Sequence, residues 1–283
     1  MKVAVVCVCP DSKQRAHLAL VWPTWEAYAR RHSLALFVLD HSRRPADPYW
    51  GKYFALEDAA LSGFDAVLVL DNDIVINPQS PSILEGWSGE RVLIADEGEQ
   101  CTWSQEDVRR YFAYYELPVP PPPAALRMFN TGVLAYTREH LRLFRDVYER
   151  WSAWRHAGRT DARARDAFKY ANDQPHVGLA LQSSGLAQPL DMKFNRLWWR
   201  WWQDYGRRSE WPFKIYAKSS AILARWLPPA LSRRLAVPGL RHIDRALAEN
   251  YFLHFAGSKS PLLLLAHRSS HGAPSVRRPS TAP

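Results

Sequence analysis

Apolar residues fall along this chain in two rhythms. Uninterrupted runs at 3–9, 34–39 and 66–70 have the length of buried strands, and between the first two, residues 15–32 place Leu18, Val21, Trp25 and Tyr28 at helical spacing. Residues 52–62 read as a second helix. Strand, helix, strand, helix, strand is the pattern of a mostly parallel sheet with helices on its faces, an α/β fold. Ligands of such sheets bind beyond the C-terminal ends of the strands, so the residues after position 70 are where chemistry is expected.

Those residues are Asp71-Asn72-Asp73, after which the apolar run resumes at Ile74, Val75 and Ile76. Two carboxylates one residue apart at a strand end form a hard, oxygen-rich site for Mg²⁺ or Mn²⁺, of the kind that carries a nucleotide diphosphate. Taken alone, the tripeptide is equally a surface β-turn. Downstream, Asn77-Pro78 marks a turn, and 91–95 is a short strand closing on Asp96-Glu97. Residues 117–123 are nearly all proline, which suits neither helix nor interior strand and reads as an exposed loop of the sort that closes over active sites. A strand at 130–136 and helices at 138–156 and 173–182 follow.

Composition narrows the picture. A chain of 283 residues with 47% hydrophobic content buries one substantial core, so residues 1–265 are expected to be a single domain and the Ser/Pro-rich, basic residues 266–283 a disordered tail. The first apolar run is too short for a signal peptide and lacks a small-residue cleavage site, and no run approaches the roughly 20 residues of a spanning helix. Three cysteines, with Cys7 and Cys9 on one face of the same strand, imply reduced thiols and a cytoplasmic setting.

A formal net charge of +9 implies attraction to polyanions: a sugar nucleotide, an anionic membrane surface or nucleic acid. Much of the excess sits in an aromatic and basic helical insertion at 197–250, with Trp198, Trp199, Trp201, Trp202 and Trp211 among arginines. Indole faces suit sugar stacking, tryptophan with arginine suits a membrane–water interface, and the same residues also suit a packed helical subdomain. The apolar and basic stretch 221–235, broken by Pro228-Pro229, resembles an interfacial element more than a spanning one.

Three further segments complete the polar inventory: Phe129-Asn130-Thr131-Gly132-Val133, Asn172-Asp173-Gln174 and His254-Phe255-Ala256-Gly257-Ser258-Lys259. With the Asp-x-Asp, and in this order, they resemble the retaining glycosyltransferases of family 8, the group containing glycogenin and the bacterial lipopolysaccharide galactosyl- and glucosyltransferases. The resemblance spans residues 3–259. One segment departs from it: the family spacing is His-x-x-Gly-x-x-Lys-Pro-Trp, whereas here Ser258 alone separates Gly257 from Lys259 and no tryptophan follows Pro261.

The resemblance implies a GT-A fold and transfer of a hexose from a nucleotide sugar, by family a UDP-sugar, to a glycan or glycolipid acceptor. It implies Asp71, Asp73 and His254 as ligands of Mn²⁺ or Mg²⁺, Lys259 and Gly257 at the diphosphate, and Asn130 at the sugar or acceptor. Asp96 corresponds to a carboxylate for donor-sugar hydroxyls, Lys52 to a basic residue preceding the Asp-x-Asp strand, and Asp173 with Gln174 to the pair beside the anomeric carbon. Each has a plainer reading: Asn130 or Asp173 as a cap, His254 as a packed histidine, Lys52 as a solvated lysine. A carboxamide is a poor nucleophile, so Gln174 would stabilise positive charge, Asp173 is the charged candidate at that motif, and same-face attack is favoured.

Two rivals stand beside this reading. A haloacid-dehalogenase-like phosphatase shares an apolar strand followed by Asp-x-Asp, but the preceding β-α-β-α unit disfavours it, and no later strand convincingly supplies the acidic pair that such enzymes need for Mg²⁺. A basic nucleic-acid-binding protein is disfavoured because the arginines form no recognised module and strand-end carboxylates repel phosphates unless metal is bound. The expected partners are therefore a sugar nucleotide, a glycan or glycolipid and an anionic membrane surface at the inner face, without nucleic acid.

Overall fold

The computed structural model describes residues 1–40, 49–98, 100–101, 104–120, 125–157, 173–204, 211–223, 226–256 and 259–267. Its main sheet has six strands in the order β2-β1-β3-β6-β5-β7: β1 (Val3–Val8), β2 (Ala35–Leu39), β3 (Ala66–Leu70), β5 (Val92–Asp96), β6 (Phe129–Thr137) and β7 (Ala187–Leu190). β6 runs antiparallel to both neighbours, and the other strands point one way. The expected mixed, mostly parallel α/β architecture is what the chain forms.

Successive residues of β3 enter two different cores. Ala66, Leu68 and Leu70 face α1 (Ser12–Arg31), whereas Val67 and Val69 face α3 (Leu141–Ala157) and α4 (Gln174–Ser183). With both faces covered, β3 has no polar side to show and reads as a continuous apolar run. A helix at Gln105–Tyr114 (α2), opened by a reciprocal Ser104/Asp107 capping box, lies between β5 and β6 in the chain.

Residues 52–62 do not form the expected α-helix. They make two short 3₁₀ turns, Gly51–Glu57 and Ala59–Leu61, separated at Asp58 by extended backbone. The cause is buried: the Tyr136 hydroxyl donates to the Lys52 carbonyl at 2.8 Å and accepts from the Ala55 amide at 3.1 Å, taking backbone groups a helix would pair internally. This arrangement turns Lys52 and Tyr53 inward.

A second sheet, β4-β9-β8, is assembled from Ile74–Ile76 (β4), Phe252–His254 (β9) and Arg196–Leu197 (β8). The chain leaves the main sheet at Leu70, turns through Asp71–Asp73 and immediately pairs with β9 in antiparallel register, Ile74 opposite His254. The indole of Trp25 donates to the Ile74 carbonyl at 2.7 Å and pins this junction to α1.

The aromatic segment resolves into α5 (Trp198–Asp204), α6 (Trp211–Leu223) and α7 (Pro229–Glu249). Trp198, Trp201 and Trp202 are buried, with the Trp198 ring centroid 5.1–5.5 Å from those of Trp201, Trp202, Phe213 and Phe255. For these three tryptophans the packed-subdomain reading holds, and sugar stacking or membrane contact does not. Cys7 and Cys9 are buried free thiols, as the odd cysteine count suggested. The tail from 268 onward lies outside the described residues, while 266 and 267 end a 3₁₀ segment, Ser260–His267, packed against α6 and α7.

Candidate active site

The crossover between the two sheets brings distant residues together. The Asp71 amide donates to the Gly132 carbonyl at 2.8 Å, the Phe255 amide donates to the Asp73 carbonyl at 3.1 Å, and the aspartates are thereby held between β6 and β9. Ligand atoms of Asp71, Asp73 and His254 then lie within 4.8 Å of one another, close to the roughly 4.3 Å span across a cation with ligands at about 2.1 Å. His254 Nε2 is 3.2 Å from Asp73 Oδ1 and 3.9 Å from Asp71 Oδ2.

Two observations favour a cation here over a plain ion pair. Asp73 Oδ1 is fully buried without a correctly oriented hydrogen-bond donor, despite the nearby imidazole. The Nδ1 of His254 lies 2.9 Å from the Asn195 side-chain oxygen, which accepts its proton and leaves Nε2 to face the aspartates. This is the orientation that carbonyl and carboxylate oxygens impose on metal-ligating histidines. Without a cation, burial would depress the His254 pKa, but Asp73 and Asp71 outweigh it and hold the ring's pKa above its usual value. Burial likewise works to raise Asp73, and His254 with Lys259 overcomes it, so that carboxyl sits well below its usual range.

Close approach of the imidazole depends on Gly132. A Cβ there would stand 2.3 Å from His254 Cε1. The Phe-Asn-Thr-Gly segment therefore serves the site partly through what position 132 lacks.

Lys259 reaches the pair from the other side, its Nζ 3.3 Å from Asp73 Oδ2 and 3.3 Å from Asn72 Oδ1. Lys52 is not the solvated lysine of the plainer reading. It is buried, 3.1 Å from Asp173 Oδ2, 3.5 Å from Asp71 Oδ1 and 3.2 Å from the Thr131 hydroxyl. Burial opposes its charge, yet the Asp173 and Asp71 carboxylates push its pKa up to about 12. Lys52, Asp71–Asp73 and Lys259 line a cavity of about 140 Å³ with Val8, Gln14 and Tyr49.

Asp173 and Gln174 both reach the site, in different ways. One oxygen of Asp173 takes the Tyr53 hydroxyl at 2.5 Å, the Thr131 hydroxyl at 3.1 Å and the Lys52 ammonium. Gln174 instead donates to Glu97 at 2.7 Å and accepts from Asn130 at 3.3 Å, and Asn130 also donates to Glu97 at 3.2 Å. The carboxylate within this amide cluster is thus Glu97. Asp96, its neighbour, pairs with Arg127 and accepts from the Gly98 amide. Gly257 lies outside the described residues. Asp11, just after β1, caps α1 by accepting from the Gln14 amide at 2.7 Å.

Sequence reasoning missed Glu97, Tyr53, Thr131 and Asn195 as site residues. The first three adjoin residues it selected, one step away along the chain. Asn195 carries no motif and becomes visible only through β8, which the Gln100 side chain clamps by donating to the Asn195 carbonyl at 2.8 Å and accepting from the Leu197 amide at 2.7 Å.

No protein-family profile and no curated protein sequence matches this chain. Among solved structures, it is similar to a glycosyltransferase involved in the glycosylation of the major capsid of PBCV-1, at 10% identity and a TM-score of 0.47 over 95% of this chain and 99% of that one. It is also similar to mouse xyloside xylosyltransferase 1, at 15% identity and a TM-score of 0.42 over 74% of this chain and 92% of that one. Likenesses this distant leave the chemistry to be judged from the side-chain geometry of the site itself.

Proposed function

We propose that this chain is a metal-dependent, retaining glycosyltransferase of GT-A type that moves a hexose from a nucleotide sugar, a UDP-sugar by family resemblance, to a glycan or glycolipid acceptor. The observation that carries the reading is the Asp71/Asp73/His254 constellation at the strand ends, with a buried Asp73 oxygen lacking a donor. These three residues would hold Mn²⁺ or Mg²⁺. A cation so held would neutralise charge on the departing nucleoside diphosphate.

The remaining roles follow from the contacts. Lys259, half-buried and held by Asp73 and Asn72, is placed to give its ammonium to a diphosphate oxygen. Lys52 fixes Asp71 relative to Asp173 and is a positioning residue. Asp173 has one oxygen committed to three donors and so withheld from bond formation, which supports same-face attack over a covalent glycosyl intermediate on this residue. The Glu97–Gln174–Asn130 cluster offers a carboxylate and two carboxamides to sugar hydroxyls. The phosphatase rival lacks its acidic pair: the third group beside Asp71 and Asp73 is a histidine, in the one such cluster among the described residues. Buried free thiols support a reducing, cytoplasmic setting.

A thermal-shift panel of nucleotide sugars with and without Mn²⁺ tests the proposal. A true donor at about 100 times its Kd adds about 2.7 kcal/mol, or roughly 5 °C for a chain of this size, and only with the cation present. Asp73→Asn should remove the shift. No stabilisation by any nucleotide sugar with Mn²⁺ or Mg²⁺, or phosphate release from generic phosphomonoesters that Asp71→Asn abolishes, would reverse the reading.

A further inference from the structure

Between positions 211 and 241 the sequence carries Lys214, Lys218, Arg225, Arg233, Arg234 and Arg241 and no acidic residue. Most of this stretch folds as the α6–α7 hairpin. Its inner face is well packed: Phe213, Ala217, Ala236 and Ile243 are buried, and Gly239 lets α7 approach so closely that a Cβ would stand 2.4 Å from Leu264 and 2.8 Å from Tyr216. The hairpin is therefore firmly seated on the Ser260–His267 segment.

Its outer face is not that of a solvated helix pair. On α6 the exposed stripe runs Ile215, Lys218, Ile222 and Leu223, and on α7 it runs Leu231, Arg234, Val237 and Arg241. Trp226, between the helices, is 83% exposed, and Ile222 is 58% exposed. Six of the nine large exposed apolar side chains among the described residues lie between positions 215 and 237. Scattered exposed apolar residues are ordinary, but six concentrated on one helix pair and interleaved with basic residues mark an interaction surface.

We infer that the α6–α7 hairpin is a docking element for an anionic lipid bilayer, with Trp226, Ile222 and Leu223 entering the interface and Lys218, Arg234 and Arg241 meeting the headgroups. Alternation of apolar and basic residues along both stripes selects this occupant. A protein partner would need its own acidic counter-surface at each turn of both helices, whereas an anionic leaflet supplies negative charge beside an apolar layer everywhere. Tryptophan prefers that boundary. No helix of the described residues is long and apolar enough to cross a membrane, so the contact is peripheral. Docking does not depend on the transferase reading, and it uses none of the tryptophans packed in α5.

Flotation of the full chain with phosphatidylcholine vesicles, with and without phosphatidylglycerol, at low and high salt tests the inference. Binding is expected to the anionic vesicles, to weaken with salt, and to fall by about fivefold for each charge removed in Lys218→Gln, Arg234→Gln and Arg241→Gln. Trp226→Ser combined with Ile222→Ser, which alters only exposed side chains, should lower it at least tenfold. The inference is overturned if the wild-type chain stays unbound in every condition or if these variants bind as well as wild type. It is equally overturned if sedimentation shows a homodimer that the Trp226→Ser/Ile222→Ser variant dissociates, because a second copy then covers the face.

Discussion

Replacing Gly132 by alanine probes whether His254 is a metal ligand set in place by the shape of β6. The added methyl carbon would lie 2.3 Å from His254 Cε1, 2.9 Å from His254 Nδ1 and 2.9 Å from the Asn130 side-chain oxygen. Carbon–carbon contact requires about 3.5 Å, so the imidazole must retreat by roughly 1 Å. It has little freedom to do so, with Asn195 2.9 Å away at Nδ1 and its backbone paired with Ile74 in β4. Metal sites tolerate displacements of about 0.2 Å, and disturbing even an outer-shell contact costs about 10–100-fold in affinity. We therefore expect Gly132→Ala to weaken Mn²⁺ binding by at least about 100-fold, read by calorimetric titration. Overpacking should also cost about 1–3 kcal/mol, a fall in Tm of roughly 2–6 °C. The double variant Gly132→Ala/His254→Ala relieves the clash and should melt above the sum of the single effects, a coupling between touching residues. Wild-type Mn²⁺ affinity and Tm in Gly132→Ala would refute the reasoning.

Asn195→Ala removes the acceptor that orients His254 while leaving all three ligands, and should weaken Mn²⁺ binding by about 10–100-fold with circular dichroism unchanged; full affinity would make Asn195 a bystander. Lys52→Met leaves Asp173 buried beside the Tyr53 and Thr131 hydroxyls without its cation, and should cost about 3–5 kcal/mol in urea unfolding, whereas a loss below about 1 kcal/mol would mean the pair is solvated. Burial pushes the His176 pKa down to about 3, so the folded chain resists a proton that the unfolded chain takes near its ordinary value. Its contribution is complete above about pH 6.5 and lost as pH falls toward 3, amounting to about 2 kcal/mol by pH 5. His176→Leu should flatten that acid limb, and an identical pH profile in the variant would count against the assignment.

Five of the six strands of the main sheet were legible because β1, β2, β3 and β5 are written as apolar runs and β6 carries one from Val133 to Tyr136, whereas β7, Ala-Gln-Pro-Leu, has no such run and went unread. The Asp-x-Asp site was legible for a related reason: Asp71 and Asp73 interrupt such a run where the chain passes from one sheet to the other. Residues 52–62 misled because their helical spacing is real, while the group that breaks the helix, the Tyr136 hydroxyl, is supplied by a strand far along the chain. α2 was missed although its Ser104-x-x-Asp107 capping box is written in the sequence. The tryptophans of α5 left three roles open because indole serves core, sugar and membrane equally well. What separates these roles is the company the residue keeps in space.

The same distinction explains why the interior of the site was only half readable. His254, Asp71 and Asp73 carry ligand chemistry in their side chains, so residue type alone nominates them. Glu97 and Asp96 are adjacent carboxylates at the same strand end, and nothing in their type says which faces inward. The decision is made by the register shift between Ile94 and Ala95, where β5 slips against β6. Past that shift Asp96 stands opposite Phe129 and its side chain pairs with Arg127, while Glu97, whose amide bonds to the Met128 carbonyl at 2.8 Å, reaches Asn130 and Gln174. The pairing jumps from Leu134 to Asn130 on β6, a slip of three residues, and because strand side chains alternate faces an odd slip exchanges the inward and outward sets. A bulge beside the strand end thus selects the carboxylate that meets the two amides, and a bulge depends on the partner strand as much as on its own sequence.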